Sequence, residues 1–176
     1  MDDRLDRGAR DGWIESTLWP GSAIPATIGR MNAALDEVRQ VYADLAARPI
    51  DRQCVRLKEC CHFKLTGRTP YLTKGEALVA AKALRATGRR ALPVNPNGAC
   101  PLLDAGTGDC LIYEARPFGC RTHFCPAAGG PYSRREVIDL IRRLEAIDES
   151  LGGTGPRTLQ NAIADALRGS SGQALV

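Results

Sequence analysis

The residues of this chain that are best suited to chemistry are its seven cysteines, which fall into two patches. The first patch lies around residue 60, and the second extends from residue 100 to residue 125. A thiolate is a soft ligand that favours zinc, copper(I) or iron–sulfur clusters over magnesium and calcium. Because folding can bring the two patches together, we expect a metal site whose candidate ligands are Cys54, Cys60, Cys61, Cys100, Cys110, Cys120 and Cys125.

The spacing of the cysteines bears on which metal they hold. Structural zinc sites usually contain short knuckles, in which two ligands are separated by two to four residues, and this chain has no C-x2-C pair. A [4Fe-4S] cluster is larger than one zinc ion and accepts four thiolates from irregular loops. The long spacings fit such a cluster at least as well as zinc. The hypothesis that we prefer is a [4Fe-4S] cofactor with a redox or electron-transfer role, or an iron–sulfur oxidoreductase with an open iron. The alternative is a structural zinc module that mediates protein–protein interaction.

Seven cysteines are more than one cluster needs, so some must have another role. Neighbouring side chains such as those of Cys60 and Cys61 point in different directions, and we expect only one of the two to bind a given metal atom. The remaining preferred ligands are Cys54, Cys110, Cys120 and Cys125, with Cys100 held in reserve. The two histidines, His62 and His123, are open as additional ligands.

Two arginines lie beside the second patch, and we assign Arg116 and Arg121 to cofactor binding. A guanidinium can donate hydrogen bonds to cysteine sulfurs, offset the negative charge of a thiolate-bound cluster, or bind a carboxylate. A purely structural bond from Arg116 to loop carbonyls is equally open. No serine, histidine and acid arrangement stands out for nucleophilic catalysis, so no catalytic residue is named.

The sequence from Cys110 to Arg121, CLIYEARPFGCR, resembles the YkgJ-type cysteine-cluster family, a zinc- or iron-chelating domain. The similarity covers about residues 54 to 125. A related cysteine motif occurs in flagellin lysine methylases, where it resembles an iron–sulfur site, so the resemblance implies iron in preference to zinc. The first motif of the family is C-x2-C-x2-C-C, and here Leu57 stands where its second cysteine would be.

Composition limits the partners that we expect. The first ten residues, MDDRLDRGAR, contain no apolar segment typical of a secretory signal, so we expect a cytoplasmic protein whose thiols stay reduced. No apolar run is long enough for a membrane span. The formal charge of +4 is spread along the chain, which does not favour nucleic acid. The expected partner is an unidentified redox or protein partner.

Hydrophobic periodicity predicts the elements that must position the cysteines. Apolar residues at intervals of three and four predict helices over 27–47, 73–86, 133–150 and from Pro156 to 168. Thr73 with Glu76 and Ser133 with Glu136 form capping-box patterns, in which each side chain bonds a backbone amide at the helix start. These features predict a mostly α-helical fold, with four or five helices around a loop-rich core that the cysteines ligate to metal.

The expected organisation is an irregular N-terminal arm over 1–26, one metal-binding helical domain over 27–169, and a frayed tail over 170–176. Residues 89–132 have no helical period, and only Leu111–Tyr113 resembles a short strand. So long an irregular segment is unusual in a compact domain unless something else orders it. Metal ligation is the expected cause.

Overall fold

In a computed structural model, residues 26–49, 52, 57–95 and 97–169 are described. The predicted mostly helical fold is confirmed, since these residues form six α-helices and only two short strands. The elements are α1 Ala26–Ala46, α2 Phe63–Thr66, β1 Tyr71–Leu72, α3 Lys74–Ala86, α4 Phe118–Thr122, α5 Arg134–Ser150, β2 Arg157–Thr158 and α6 Leu159–Gly169. The N-terminal arm, Cys54 and the C-terminal tail lie outside the described residues. No described helix combines the length and the apolar character that crossing a bilayer requires.

Both predicted capping boxes are present. Thr73 caps α3 together with Glu76, and Ser133 caps α5 together with Glu136. The start predicted for the last helix is wrong by a few residues. Arg157 and Thr158 are extended and pair antiparallel with β1, so α6 begins at Leu159, whose amide bonds the Pro70 carbonyl at 2.9 Å.

Helix α3 lies at the centre of the molecule and packs against α1, α5 and α6. Four of its seven buried residues are glycine or alanine, which allows these neighbours to approach closely. At Gly75 a Cβ atom would stand only 2.9 Å from Val38 Cγ2 and 3.0 Å from Ile147 Cγ2. Glycine at this position therefore permits the contact between the first turn of α3 and helices α1 and α5.

The two faces of α3 belong to two apolar clusters. On one face Ala77, Ala80 and Leu84 pack with α6 and with the loop that carries Cys100. On the other face Val79 packs with α1, α5 and Phe118, the first residue of α4. The helical core thus touches the cysteine-bearing segments on both sides.

The segment from 89 to 132 is built from turns rather than from one long coil. Two 3-10 turns, Tyr113–Ala115 and Pro126–Ala128, flank α4 within it. The strand predicted at Leu111–Tyr113 is wrong. The Leu111 amide donates one hydrogen bond to the Leu102 carbonyl at 2.8 Å, as in a strand, but the Ala115 amide then bonds the Ile112 carbonyl at 2.8 Å. The local turn therefore replaces an extended strand.

Candidate metal centre

Five of the six described cysteines line one cavity of about 520 Å³. The cavity lies between the turn before α2, the loop from 100 to 110, and α4. Cys100 is buried, Cys60 is exposed at the surface, and the other three are partly buried. Folding therefore brings the two cysteine patches together, as predicted for a shared site, at Cys60, Cys61, Cys100, Cys110 and Cys120.

The vicinal cysteines sit in the 3-10 turn Glu59–Cys61, which begins after an unusual residue. Lys58 has a positive φ of 63°, a left-handed conformation that is uncommon for any residue other than glycine. Its ammonium reaches across to the Thr107 carbonyl and to Asp109, both at 3.3 Å. These contacts tie the first cysteine patch to the loop before Cys110.

Cys100 and Cys110 are held by backbone contacts. The Cys100 amide donates to the Cys61 carbonyl at 2.6 Å, which joins the two patches directly. The Asn95 amide group donates to the carbonyls of Cys100 and Leu103, at 2.6 and 3.2 Å. Leu103 in turn forms an isolated antiparallel bridge with Cys110. The loop therefore has its own hydrogen bonds, which fix where the two thiols lie.

Cys120 is positioned by a buried carboxylate. Glu76 is only 3% exposed; its Oε1 accepts from the Phe118 amide at 2.8 Å and from the Tyr42 hydroxyl at 3.4 Å. Its Oε2 accepts from the Thr73 amide and hydroxyl at 3.0 and 2.9 Å. Burial is the main cause that raises the pKa of Glu76, and these hydrogen bonds oppose it. The sequence indicates Glu76 as a cap, but its bond to Phe118, 42 residues away, has no local signal.

The thiols influence one another electrostatically. The hydrogen bond from the Cys61 thiol lowers the pKa of Cys60 to about 6 and, as its counterpart, raises the pKa of Cys61. Burial raises the pKa of Cys100 to about 11. Burial likewise raises the pKa values of Cys110 and Cys120, with the charge of Cys60 acting in the same direction. A bound cation would stabilise these thiolates and release their protons.

Arg116 lines the same cavity, in agreement with its predicted place beside the ligands. Its charge opposes the rise in the pKa values of Cys110 and Cys120. The guanidinium carbon stands 4.2 Å from the centre of the Tyr113 ring. Its Nε is buried and has no hydrogen-bond partner among the described residues. An unsatisfied buried donor is uncommon in folded proteins and calls for an explanation.

The remaining predicted site residues are divided between the cavity and its surroundings. Arg121 does not line the cavity; it stacks on Tyr42 at 4.4 Å and donates to the carbonyls of Arg116 and Glu114. Burial lowers the pKa of Arg121, and the charge of Cys120 opposes that change. Cys125 caps the turn Pro126–Ala128 and does not line the cavity. His123 lines the cavity, whereas His62 does not.

Comparison with protein families gives one match. Residues 52–139, half of the chain, match the model of the CxxCxxCC family, described as a "Putative zinc- or iron-chelating domain". This chain belongs to the CxxCxxCC family. No curated protein and no solved structure gives a significant match. The predicted resemblance to a cysteine-cluster family is confirmed, and so is its coarser meaning, a domain that chelates zinc or iron.

One position departs from the motif that names the CxxCxxCC family. Leu57 occupies the place of the second cysteine; it is 54% exposed and does not line the cavity. Its side chain is therefore neither part of the cavity wall nor a core packing residue. Cys54, at the first position of that motif, lies outside the described residues.

The donor set fits a thiolate-bound metal group of the kind that CxxCxxCC domains chelate. Five thiols share one cavity with a cationic residue that can offset their charge. Among the described residues, no three cysteine, histidine, aspartate or glutamate side chains are arranged to hold one metal ion. The cavity that the thiols line, at about 520 Å³, is larger than a single ion.

Proposed function

We propose that this chain binds a [4Fe-4S] cluster through Cys60, Cys100, Cys110 and Cys120, and that it serves in electron transfer or in a redox reaction in the cytoplasm. The observation that carries the proposal is the shared cavity of about 520 Å³, whose lining includes five thiols. A cluster accepts four thiolates at separate corners, and a cavity of this volume has room for a group of that size.

The choice of Cys60 over Cys61 rests on its environment. Its pKa, lowered to about 6, makes the thiolate available at neutral pH. Cys60 also influences the pKa values of Cys100, Cys110 and Cys120, so it lies within electrostatic range of all three. Cys61 then serves as the hydrogen-bond donor that stabilises the ligand thiolate.

Such a cluster supplies one-electron chemistry, and the protein supplies its surroundings. Arg116 offsets negative charge beside Cys110 and Cys120, and hydrogen bonding and charge of this kind tune reduction potentials. Cys60 is exposed, which places one side of the site near the surface. A redox partner could therefore approach the site from the side of Cys60.

The competing function is a structural zinc module that mediates protein–protein interaction. The family description allows both zinc and iron. Structural zinc sites usually contain short knuckles of two ligands, and this sequence has no C-x2-C pair. The choice of iron–sulfur over zinc rests on that spacing.

A pair of cysteine substitutions tests the ligand assignment. We expect Cys120→Ser, prepared without oxygen, to retain about one tenth of the wild-type iron or less, because a cavity thiolate is lost. Cys125→Ser is the matched control, five residues away and outside the cavity, and it should keep wild-type iron and its brown colour. Iron and sulfide analysis of both proteins makes the measurement. Equal iron in the two variants would contradict the assignment.

A further inference from the structure

The cysteine cavity is larger than a metal centre requires. Even at about 30 Å³ an atom, the volume of one molecule in liquid water, the eight atoms of a [4Fe-4S] core would fill about 240 Å³, whereas the cavity measures about 520 Å³. Sites for small organic molecules typically measure about 300–1,000 Å³. The cavity therefore has room for an organic molecule beside the metal centre.

Part of the wall carries no metal ligand. Aromatic side chains and a proline contribute there, namely Phe63, Pro70 and Phe124. Phe63 packs against the core formed by α3 and α6, and Phe124 is buried against Tyr132, with ring centres 6.0 Å apart. These residues give the cavity a firm apolar surface that has no use in metal ligation.

Arg116 supplies a polar group at this wall. The guanidinium stacks on the Tyr113 ring, and stacking of this kind fixes its plane while its edge stays open to a hydrogen-bond acceptor. Its Nε atom is enclosed by protein, so a ligand in the cavity can reach only the terminal Nη nitrogens of this guanidinium. A carboxylate is the acceptor that best matches the flat edge of a guanidinium.

The other charges around the cavity are consistent with an anionic ligand. Lys58 is already paired with Asp109. Arg68 also lines the cavity and adds a second guanidinium, with Glu114 as the remaining acidic residue of the lining. The geometry points to a small aromatic or branched apolar molecule with one carboxylate, which binds beside the metal centre. The guanidinium of Arg116 receives its carboxylate through the terminal nitrogens, and Phe63, Pro70 and Phe124 contact its apolar part.

This inference rests on the proposed function in one respect, namely that the cysteines of the cavity bind a metal centre. The contact with Arg116 does not depend on which metal is bound. If the ligand is a substrate, the cluster site is an enzyme active site. If it is not transformed, the carboxylate regulates a redox protein.

The test uses benzoate as the probe and benzamide, a neutral molecule of the same shape, as its control. Nitrogen-15-labelled protein is purified without oxygen, and the Nε–H signals of Arg116 and Arg68 are followed by NMR during each titration. We expect benzoate to shift the Arg116 signal saturably, with a Kd of about 1 mM or tighter, and benzamide to leave it in place. Arg116→Gln should weaken benzoate binding about tenfold or more, and Arg68→Gln should weaken it less.

Several results would overturn the inference. The first is equal binding of benzamide and benzoate, and the second is an unchanged affinity of Arg116→Gln for benzoate. The third is that the iron-loaded protein binds neither probe, which would mean that Arg116 serves the metal centre alone. If Arg116→Gln does not fold, the benzoate titration of the wild-type protein is the test, because the inference requires the NMR signal of Arg116 to shift. Iron content is measured on the same samples, so failure of the cluster assignment is scored separately.

Discussion

The vicinal cysteines show how one hydrogen bond can give neighbouring residues different roles. The thiol of Cys61 donates to Cys60 and lowers its pKa to about 6. The exposed residue of the pair thereby becomes the reactive thiolate, while its neighbour remains a protonated donor. In the metal-free protein this difference should be measurable as chemical reactivity, because the thiolate is the nucleophile.

We expect the rate at which iodoacetamide alkylates Cys60 in metal-free protein to rise with pH, with a midpoint near 6, and then to level off. The sign follows from the lowered pKa, since the thiolate is already formed at neutral pH. Cys61→Ala should move the midpoint upward, toward the ordinary thiol value of about 8.5. Fragmentation mass spectrometry locates the label on each cysteine.

Cys100 provides an internal control in the same samples. Burial raises its pKa to about 11, so it should remain largely unlabelled below pH 8. A Cys60 midpoint near that of an ordinary thiol, or one unchanged in Cys61→Ala, would refute the assigned roles.

Among the elements, α3 connects the helical core to the metal site through its first turn. Two buried carboxylates lie at this turn. Glu76 faces the amide of Phe118, two residues before Cys120, whereas Asp148 of α5 accepts from the Lys74 amide at 2.6 Å and the Gly155 amide at 2.9 Å. The first carboxylate holds the ligand loop, and the second holds a loop that lines a different groove.

We predict that Glu76→Gln lowers the free energy of unfolding by about 1–3 kcal/mol, since a side-chain amide cannot accept at both positions and leaves buried donors unsatisfied. It should also reduce iron retention and change the visible spectrum, because Phe118 loses its anchor. Thermal unfolding and iron analysis under anaerobic conditions measure the two effects.

Asp148→Asn is the matched control for a purely structural effect. It removes a buried carboxylate of α5 that bonds the same first turn of α3 but lies away from the cysteine cavity. It should therefore lower stability but leave the spectrum and iron content unchanged. If both variants lose iron in proportion to their loss of stability, Glu76 has no positioning role.

The elements also show how far the sequence alone could lead. The caps at Thr73 and Ser133 are local signals, and they placed the starts of α3 and α5 correctly. Leu111–Tyr113 has the composition of a strand, but a strand needs a partner strand. Leu111 donates one backbone hydrogen bond to Leu102, and the chain then turns. The start of α6 was misplaced for a similar reason, because Arg157 and Thr158 pair with a distant strand.

The sequence predicted the chemistry of the site better than it predicted which cysteines form it. Cysteine type and spacing indicated one shared metal site, and five of the cysteines do line one cavity. Cys100 was only a reserve ligand, yet it lies at the wall, while Cys125 was preferred and lies outside the cavity. Cys100 is joined to the first cysteine patch by the bond from its amide to the Cys61 carbonyl, a tertiary contact that spacing does not encode.

At the scale of the molecule, the cavity lies beside a helical core that has two apolar clusters of its own. The loops that carry the cysteines pack on that core through Phe118, Leu102 and Ile112, and they are joined to each other by the bond between Cys100 and Cys61. This arrangement supports a metal centre that is bound between loops, which pack on the helices. The side of the site at Cys60 is exposed to solvent.

The central claim is that these thiols hold a [4Fe-4S] cluster. The most direct measurement is the content of iron, acid-labile sulfide and zinc in wild-type protein purified without oxygen. We predict about four iron atoms and four sulfides per chain, in a brown protein that loses its colour in air. A colourless protein with one zinc ion per chain and no sulfide would contradict the claim and identify the chain as a zinc module.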